Sequence, residues 1–574
     1  MSLAKALDAD QRADALAHLA SGELDVLVVG GGIVGVGAAL DAVTRGLKVG
    51  LVEQRDLASG TSSRSSKLVH GGLRYLEMLD FALVKEALEE RGLLLTRLAP
   101  HLVRPVPLLY PLEHAWERPY VGAGIALYDG MAMTGKYDMG VPKHKHVFRK
   151  QLARMAPDIR TEGLHGAIRY YDCQVDDARL VMTIARTAAN NGAHVATRTK
   201  VTGFLRDGDS VVGVSARDLE GQRDLEIRAK VVINAAGVWT DEVQDLIGGQ
   251  AQLDVDASKG IHIVVPKDRI RSECGFITKT EKSVLFVIPW DQFWIIGTTD
   301  TAWDLDLAHP AASKTDIDYL LGHVNTLLKD PLDHRDVVGV YAGLRPLLKP
   351  MRKEGEMGET TKLSREHTVA NPVPGLVLVA GGKLTTYRVM AKDAVDHALR
   401  HGGGGSEATP ASITDRVPLM GAWGFEARTN QRVALSRSSG LDIGVVDHLL
   451  GRYGGLVDEV LALIDARPDL GDPLEGAEHY LRAEVLYAVT HEGARHLDDV
   501  LARRTRVSIE TFDRGITAAR PAAELMAGAL GWSQAQVEDE VDHYLRRVEA
   551  ERQSQLMPTD QEADEARVKA PDIV

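Results

Sequence analysis

The stretch that decides the fold is LDVLVVGGGIVGVGAALDAVTRGLKVGLVE, from Leu24 to Glu53. Its first six residues are mostly apolar and rich in valine, which predicts a parallel strand buried on both faces. Small residues at helical spacing follow from Gly30 to Gly46, and a second apolar strand ends at Glu53. The sequence therefore predicts a strand–helix–strand unit that opens a doubly wound α/β domain.

The glycine pattern of this unit predicts a dinucleotide site. Gly30, Gly32 and Gly35 give the spacing GxGxxG between strand and helix. Gly30 permits the turn, Gly32 lets a pyrophosphate approach the backbone, and Gly35 lets the helix pack on the strand. Glu53 can accept hydrogen bonds from the adenosine ribose, and its charge disfavours NADP. A Ser/Thr-rich loop, 58–76, follows where an NAD dehydrogenase would continue with alternating strands and helices, which favours FAD.

The composition excludes several classes of protein. The chain has 574 residues, of which 44% are hydrophobic and 26% charged, as in a soluble globular protein of several domains. Its net charge of −14 argues against a protein whose main ligand is nucleic acid. Two cysteines cannot build a disulfide framework, and no Cys/His cluster has zinc spacing, so no metal is expected. Neither a secretory signal nor an apolar run of about 18–20 residues is expected to be present.

The domain organisation follows from changes in composition and in predicted secondary structure along the chain. Residues 1–22 are predicted to form an N-terminal extension helix. Over 23–400, helices and strands alternate in a pattern that suits a dinucleotide domain interleaved with a second, antiparallel-sheet domain. A Gly/Ser linker, 401–412, leads to helical patterns without clear strands over 413–552. An acidic tail, 553–574, is expected to be frayed or disordered.

Six further segments carry a resemblance to a known family. They are ASGTSSRSSKLVHGGLRYL (58–76), INAAGVWTDEV (233–243), SKGIHIVVP (258–266), IPWDQFWIIGTTD (288–300), GLRPL (343–347) and GGKLTTYR (381–388). With LDDVLARRTR (497–506), they make the chain resemble the FAD-dependent glycerol-3-phosphate dehydrogenases over most of its length. The resemblance implies an α/β fold in which a glutathione-reductase-type, Rossmann-like FAD domain is interleaved with a D-amino-acid-oxidase-like antiparallel-sheet substrate domain. An all-α C-terminal domain completes this expected architecture.

The same resemblance implies an activity and its cofactor contacts. The expected reaction is oxidation of sn-glycerol 3-phosphate to dihydroxyacetone phosphate, with electrons passed from FAD to a membrane quinone. Beside the glycine turn and Glu53, the residues implied to contact FAD are Thr61, Ser62, Ser66, Lys67, Leu68, Ala235, Ala236, Gly237, Gly382, Lys383, Leu384 and Thr385. Without the resemblance, Ser/Thr clusters of this kind would indicate only a loop.

Oxidation of this substrate needs an anchor for a dianionic phosphate. Arg345 and Arg365 lie in short turn-bounded segments, and guanidinium groups bind phosphate through paired hydrogen bonds. The resemblance implies that both bind the phosphate and that Arg74 and Tyr75 line the substrate pocket. Lys383 follows a glycine turn, where its ammonium would bind substrate or stabilise charge on the reduced flavin. Arg345 and Lys383 are therefore expected to act in catalysis as well as in binding.

Two histidines are candidates for the catalytic base. His262 lies in an apolar strand, where a histidine is usually a hydrogen-bonded interior side chain. His70 precedes two glycines in the Ser/Thr-rich loop. The sequence leaves the choice between them open.

Contact with a membrane surface is also expected. The segment 101–120 mixes leucine and aromatic residues with arginines, and KHKHVFRK (143–150) is basic within an acidic protein. The resemblance implies a cytoplasmic protein, peripheral on the inner face of the cell membrane, with a quinone acceptor. A homodimer is expected as well.

Other functions are open at this point. A glycerol-3-phosphate oxidase of the same fold would hand its electrons to oxygen, and an amine or amino-acid oxidase would lack the pair Arg345 and Arg365. An RNA-modifying flavoprotein is disfavoured by the acidic balance. A flavin-binding protein without catalysis would show no bleaching of the flavin by substrate.

Overall fold

The computed structural model describes residues 5–77, 80–248, 254–280, 284–348, 367–401 and 409–570. The strands are β1 (Glu23–Val29), β2 (Val49–Val52), β3 (Leu68–Val69), β4 (Arg104–Leu112), β5 (Lys145–Val147), β6 (Gly166–Gln174), β7 (His194–Ala196), β8 (Thr199–Asp207), β9 (Ser210–Asp218), β10 (Arg223–Asn234), β11 (Val255–Pro266), β12 (Gly275–Lys279), β13 (Val284–Trp290), β14 (Phe293–Gly297), β15 (Thr301–Trp303), β16 (Gly339–Leu348), β17 (His367–Val373), β18 (Leu376–Gly381), β19 (Pro473–Leu474) and β20 (Ala477–Leu481).

The helices are α1 (Ala9–Ser21), α2 (Ile33–Thr44), α3 (Arg74–Glu77), α4 (Phe81–Leu93), α5 (Glu117–Met133), α6 (Arg149–Met155), α7 (Asp177–Asn190), α8 (Thr240–Asp245), α9 (Lys314–Asn325), α10 (Tyr387–His401), α11 (Phe425–Asn430), α12 (Arg432–Ser439), α13 (Ile443–Tyr453), α14 (Val457–Ala466), α15 (Arg482–Thr490), α16 (Val507–Glu510), α17 (Ile516–Leu530), α18 (Gln534–Ser554) and α19 (Asp560–Arg567). Segments Leu94–Leu98 and Asp499–Arg504 are π-helical. No helix in the described ranges combines the length and the apolar character that crossing a membrane requires.

The first sheet contains the predicted strand–helix–strand unit. Its strands lie in the order β17-β18-β10-β1-β2-β7, and β9 and β8 extend it from β10. Strands β18, β10, β1, β2 and β7 are parallel. The residues from Val26 to Val29 are fully buried because helices α2, α7 and α10 cover one face and α1 packs with β8 and β9 on the other. The carboxyl ends of the parallel strands therefore meet at one edge.

The second sheet is mainly antiparallel. It has the order β15-β11-β14-β13-β12-β4-β6-β3, with β16 also on β11 and β5 on β6. On β11, Ile261 and Ile263 are buried in a core with α6 and α9. Because successive side chains in a strand point to opposite faces, Gly260 and His262 lie on the other face. That face meets the loop that follows β2, as the contact between Ser66 and His262 shows.

The C-terminal third of the chain forms a separate, mostly helical core. Apolar side chains of α13, α14, α15, α17 and α18 build it. It also contains the hairpin β19-β20, in a region where the sequence predicts no clear strand. The hairpin forms because Gly476, with φ of +77°, supplies the conformation that its tight turn needs.

Residues 553–570 of the tail are ordered, unlike the frayed tail that its acidic composition predicts. Helix α19 buries Ala563 and Ala566, and Thr559 caps its first turn. The ammonium group of Lys259, a buried residue of β11, forms ion pairs with Asp316 and Asp560. The acidic residues of the tail thus serve partly as partners for a buried cation. Residues 402–408 of the predicted linker and 571–574 of the predicted tail lie outside the described residues.

A largely buried histidine, 13% exposed, joins the helical core to the first sheet. The Nδ1 atom of His496 lies 2.7 Å from Glu540 on α18, and its Nε2 atom lies 3.0 Å from Glu220 between β9 and β10. Burial opposes the charge of His496, but the hydrogen bonds to both carboxylates outweigh it and raise the pKa of His496 to about 9. We expect this contact to make stability depend on pH.

Because the folded pKa of His496 lies above its ordinary value of 6.5, the charged form stabilises the fold. This stabilisation is fully present below pH 6.5 and is lost as the pH rises through 9. Its size is on the order of 3 kcal/mol. Thermal unfolding across this range should show a steeper decline in Tm for the wild type than for His496→Gln. The exposed His165→Gln is the matched control, and equal slopes for the wild type and His496→Gln would contradict the prediction.

Candidate active site

A cavity lies along the edge where the parallel strands of the first sheet end. Its wall includes Val29 at the end of β1, Val52 at the end of β2 and Ala380 near the end of β18. Ligands of doubly wound proteins bind at this edge of the sheet. Glu53 and Lys383 also line the cavity, so the motif that opens the chain and a motif more than 300 residues later share one site.

The glycine turn is closed so tightly that a side chain is excluded at two positions. Gly30 has φ of +111°, and a Cβ atom there would lie 2.6 Å from the carbonyl oxygen of Ala235. A Cβ atom on Gly35 would lie 1.9 Å from the carbonyl oxygen of Gly30. Gly32 instead faces the cavity, and its nearest neighbour would be Ser62 Oγ at 3.3 Å. The N-terminus of α2 is therefore open to the approach of a pyrophosphate.

Glu53 lies beside this turn at the end of β2. Its Oε2 atom accepts a hydrogen bond from Gly31 N–H at 2.6 Å, and its Oε1 atom accepts one from Arg55 N–H at 2.7 Å. Burial raises the pKa of this carboxyl, and the two backbone donors oppose the rise. Each carboxylate oxygen retains a lone pair for a further donor. The predicted contact with a ribose hydroxyl is therefore compatible with the geometry.

The Ser/Thr-rich loop connects the two sheets. Thr61 Oγ1 donates to the carbonyl oxygen of Leu344 on β16 at 2.6 Å. Ser62 Oγ accepts from Ile33 N–H at the start of α2 at 3.0 Å. A Cβ atom on Gly343 of β16 would lie 2.4 Å from a carbonyl oxygen of this loop, so loop and strand touch backbone to backbone. The loop thus fixes the second sheet relative to the cavity.

The side chains of Lys67 and Leu68 lie away from the cavity, in contrast to their expected role at FAD. Lys67 is fully buried, and its Nζ atom lies 2.7 Å from Asp177 and 3.1 Å from the carbonyl oxygen of Ser63. Leu68 is buried in an apolar cluster with residues of β13 and β14. The physical reason for Lys67 is that its ammonium pairs with Asp177 at the start of α7.

His262 is held rigidly between the two sheets. Its Nε2 atom lies 2.8 Å from Ser66 Oγ, and its ring stacks on Tyr341 with centroids 4.8 Å apart. A Cβ atom on Gly297 would lie 2.1 Å from the ring, so glycine makes room for it. Burial, followed by the charges of Arg345 and Lys67, holds the pKa of His262 well below its usual range. The imidazole is therefore neutral at pH 7.

Arg345 lies on the same face of the second sheet as His262. Its guanidinium covers Gly260, where a Cβ atom would lie 2.4 Å from Nη2. Nη2 donates to Thr298 Oγ1 and to a neighbouring carbonyl oxygen, both at 3.0 Å, and Nη1 lies 3.2 Å from Asp300. The side chain is 28% exposed. These contacts fix the orientation of the guanidinium and leave part of its surface accessible to an anion.

Lys383, Tyr75 and His70 lie close to one another near the start of α10. Lys383 Nζ lies 3.6 Å from the centroid of the Tyr75 ring. Thr385 Oγ1 accepts from the His70 N–H at 3.1 Å and donates to the His70 carbonyl at 3.2 Å. The structure thus brings together two predicted substrate-binding residues and the second candidate base. Arg365 lies outside the described residues, as does the side chain of Arg74.

Sequence analysis overlooked several residues of the site. Arg55 lies over the ring of Trp239 at 5.2 Å, and both line the cavity. Trp239 falls within a motif that carried the family resemblance, but nothing in the motif singled it out. Tyr341 could have been found, because it lies four residues before Arg345 and therefore on the same face of β16. Thr298 is recognisable only from its contact with the guanidinium.

The cavity fits FAD. The predicted contact residues in its wall are Gly30, Gly32, Glu53, Thr61, Ser62, Ala235, Ala236, Gly237, Gly382, Lys383 and Leu384. They combine a helix N-terminus for the pyrophosphate, a carboxylate for the ribose and the ammonium of Lys383 in the loop after β18. Three other predicted residues lie behind this wall: Gly35 supports the turn, Ser66 contacts His262, and Thr385 holds the backbone of His70.

Fold and site together define a flavin-dependent oxidoreductase. Residues 25–392 match the family described as FAD dependent oxidoreductase. Residues 412–537 match the C-terminal domain of alpha-glycerophosphate oxidase. FAD is therefore the cofactor of this class of protein.

Comparison with individual relatives identifies the family more specifically. The chain is 54% identical to glycerol-3-phosphate dehydrogenase 2 of Mycobacterium tuberculosis, over 99% of this chain and 95% of the relative. It is 36% identical to the mitochondrial glycerol-3-phosphate dehydrogenase of Mus musculus, over 91% of this chain and 72% of the relative. The X-ray structure of the glycerol-3-phosphate dehydrogenase from Bacillus halodurans, complexed with FAD, has a TM-score of 0.76 at 29% identity and covers 96% of this chain and 99% of that chain. The chain belongs to the FAD-dependent glycerol-3-phosphate dehydrogenase family.

Proposed function

We propose that this protein oxidises sn-glycerol 3-phosphate to dihydroxyacetone phosphate on the cytoplasmic face of the cell membrane and passes the electrons to a quinone. The names of its relatives support the substrate. The observation that carries the proposal is the placement of Arg345 beside His262, on the sheet face that meets the FAD-binding loop. An anchor for a phosphate thus lies next to a neutral imidazole, as oxidation of a phosphorylated alcohol requires.

Each group has a role in this reaction. When bound, FAD supplies the acceptor for the hydride that leaves C2 of the substrate. Arg345 would bind two phosphate oxygens and so orient the substrate. His262 or His70 would take the proton of the C2 hydroxyl, which completes the two-electron oxidation. The ammonium of Lys383 would stabilise the negative charge that develops as the hydride is transferred.

Binding of the substrate phosphate is expected to favour His262 as the base. The positive charge of Arg345 contributes to the low pKa of His262. A dianion bound to Arg345 would offset that charge and raise the basicity of the imidazole. Substrate binding would thereby make the imidazole of His262 a better proton acceptor.

The substrate is tested by a visible spectrum of the purified protein under argon. We expect sn-glycerol 3-phosphate to bleach the yellow flavin band, because its C2–H supplies the hydride. Glycerol lacks the phosphate, and a D-amino acid lacks both the phosphate and the C2 hydroxyl. Neither should therefore bleach the band at the same concentration. A band that persists with all three compounds would contradict the proposed substrate.

The electron acceptor needs a separate measurement, because the helical C-terminal domain matches that of alpha-glycerophosphate oxidase. We expect slow turnover in air and fast turnover after a quinone is added. Full turnover in air with hydrogen peroxide formation would instead identify an oxidase.

An exposed apolar strip supports the proposed membrane contact. Helix α5 buries one face, and its opposite face carries Tyr120 and Leu127, with Trp116 just before its first turn. Trp116 and Tyr120 are 61% and 63% exposed. Aromatic side chains at helical spacing on an exposed face are typical of segments that bind membrane interfaces.

A basic segment adjoins this strip. Phe148 is exposed, and the guanidinium of Arg118 on α5 lies 4.4 Å from the centroid of its ring. Lys145 and Lys150 flank it and are exposed. Anionic lipid headgroups attract such cations, so the strip and the segment together form one surface suited to the inner leaflet.

Replacement of Trp116 and Tyr120 by serine is expected to weaken vesicle binding by about tenfold or more, because two interfacial aromatic anchors are lost. The measurement is co-sedimentation with vesicles that contain anionic lipid. Trp423→Ser is the matched control, since Trp423 is 73% exposed but lies in the helical domain. Equal loss in both variants would argue against α5 as the membrane surface.

A further inference from the structure

A second cavity, which we name the basic cavity, lies between several parts of the chain. Its wall includes the loop 55–64, the segment 308–312, strand β16, the π-helical segment Asp499–Arg504 with the residues after it, the second half of α18 and the end of α19. Its volume is about 120 Å³. Arg55 and Ser59 line both this cavity and the FAD cavity, so the two share one loop.

Arginines dominate the wall of the basic cavity. Seven arginines line it, whereas the carboxylates in its wall are Asp498 and Glu551. Both carboxylates are already engaged: Asp498 lies 2.7 Å from Arg503 and 3.0 Å from Arg547, which also lies 2.6 Å from Glu551. Carboxylates behind the wall pair with three of the arginines: Asp499 with Arg198, Asp56 with Arg503, and Asp176 and Asp177 with Arg506.

Arg64 differs from these paired arginines. Its guanidinium donates to the carbonyl oxygen of Ala308 at 3.2 Å, and within the described part of the chain it forms no ion pair. Burial, followed by the like charges of Arg567 and Arg503, lowers the pKa of Arg64 to about 10. Arg503 and Arg567 have carboxylate partners, whereas Arg64 converges on the same space without one. A guanidinium placed this way is costly unless an anion binds it.

We propose that the basic cavity binds a phosphate-type dianion, either inorganic phosphate or a small phosphate ester, which clamps the loop 55–64 to the helical domain. A phosphate offers acceptor oxygens in several directions, as guanidinium forks from different elements require. Ser508 and Ser63 add hydroxyl groups to the same wall. A volume of about 120 Å³ holds several waters, which is room for one phosphate group.

The clamp would act on the loop that serves the FAD cavity. Thr61 and Ser62 face FAD, whereas the next two residues, Ser63 and Arg64, face the basic cavity. Tyr341 lines the basic cavity, donates to the carbonyl oxygen of Ser65 at 3.0 Å, and stacks on His262. An anion bound here would therefore rigidify contacts of both the cofactor and the candidate base.

Calorimetric titration of the FAD-loaded, full-length protein tests the proposal. The protein carries Arg345→Ala to weaken the proposed substrate site, and sodium chloride holds the ionic strength constant. Sodium phosphate is expected to bind at one site, and an added Arg64→Ala should weaken this binding at least about tenfold, since a bidentate fork is lost. Arg335→Ala is the matched control, because Arg335 is 90% exposed and does not line the wall. A parallel titration with sn-glycerol 3-phosphate shows whether the ester or the inorganic ion is preferred.

Thermal unfolding separates a ligand-binding role of Arg64 from a purely structural one. Without phosphate, Arg64→Ala should melt no lower than its parent, because the substitution removes repulsion between like charges. Phosphate should raise the Tm of the parent but not that of Arg64→Ala, and Arg64→Lys, which keeps the charge without the fork, should lie between them. Absence of phosphate binding in the parent, or an equal shift in Arg64→Ala, would overturn the proposal.

Discussion

Replacement of Arg345 by alanine is expected to raise the KM for sn-glycerol 3-phosphate by more than about tenfold, since each charge-assisted hydrogen bond to phosphate contributes about 1.5–3 kcal/mol. The guanidinium is held in place by Thr298 and Asp300 and remains partly exposed, so it is oriented before substrate arrives. Steady-state kinetics with a quinone or dye acceptor give the measurement.

The control for this prediction is Arg335→Ala, which removes an exposed guanidinium paired with the nearby Asp333. It should leave KM unchanged. Lys at position 345 should recover only part of the affinity, because an ammonium cannot form the paired hydrogen bonds of a guanidinium. An unchanged KM in Arg345→Ala would remove this residue from the substrate site.

Replacement of His262 by alanine is expected to slow anaerobic reduction of the flavin by about 100-fold or more, the usual contribution of a positioned general base. The reason lies in its placement: Nε2 contacts Ser66, the ring stacks on Tyr341, and the imidazole is neutral and able to accept a proton. Stopped-flow measurement of the flavin band under argon gives the rate. The spectrum before mixing shows whether FAD is still bound.

His70→Ala is the comparison that assigns the base. If His262 is the base, loss of the His70 side chain should change the rate much less, because the described contacts of His70 with Thr385 are made by its backbone. A normal reduction rate in His262→Ala together with a slow rate in His70→Ala would transfer the role to His70.

Much of the site could be predicted because its parts are local motifs. The GxGxxG turn, Glu53 and the turn at Ala235 need only a few neighbouring residues to be recognised, since strand ends and glycine spacing determine them. Lys67 shows the limit of this reasoning. Its position in a Ser/Thr-rich loop suggests a phosphate contact, but the ammonium pairs with Asp177, which lies 110 residues further along the chain.

The acidic tail shows the same limit. A segment rich in Asp and Glu is expected to stay solvated when it is considered alone. In the folded protein, Asp560 pairs with the buried ammonium of Lys259 on a central strand of the second sheet. No local pattern encodes that partner, because the two residues are 301 positions apart.

The sequence by itself determined the class of fold and the dinucleotide turn, because these depend on hydrophobic periodicity and on glycine at fixed spacing. The resemblance of further segments indicated the family. Only the tertiary structure decided how the second sheet meets the first. The register of β11 against β14 and β16 places His262 opposite Gly297 and Tyr341, and Arg345 opposite Ser258. Strand register and loop packing join residues from distant parts of the chain. The pairing of Ser66 with His262, the fixed guanidinium of Arg345 and the basic cavity therefore exist only in the folded protein.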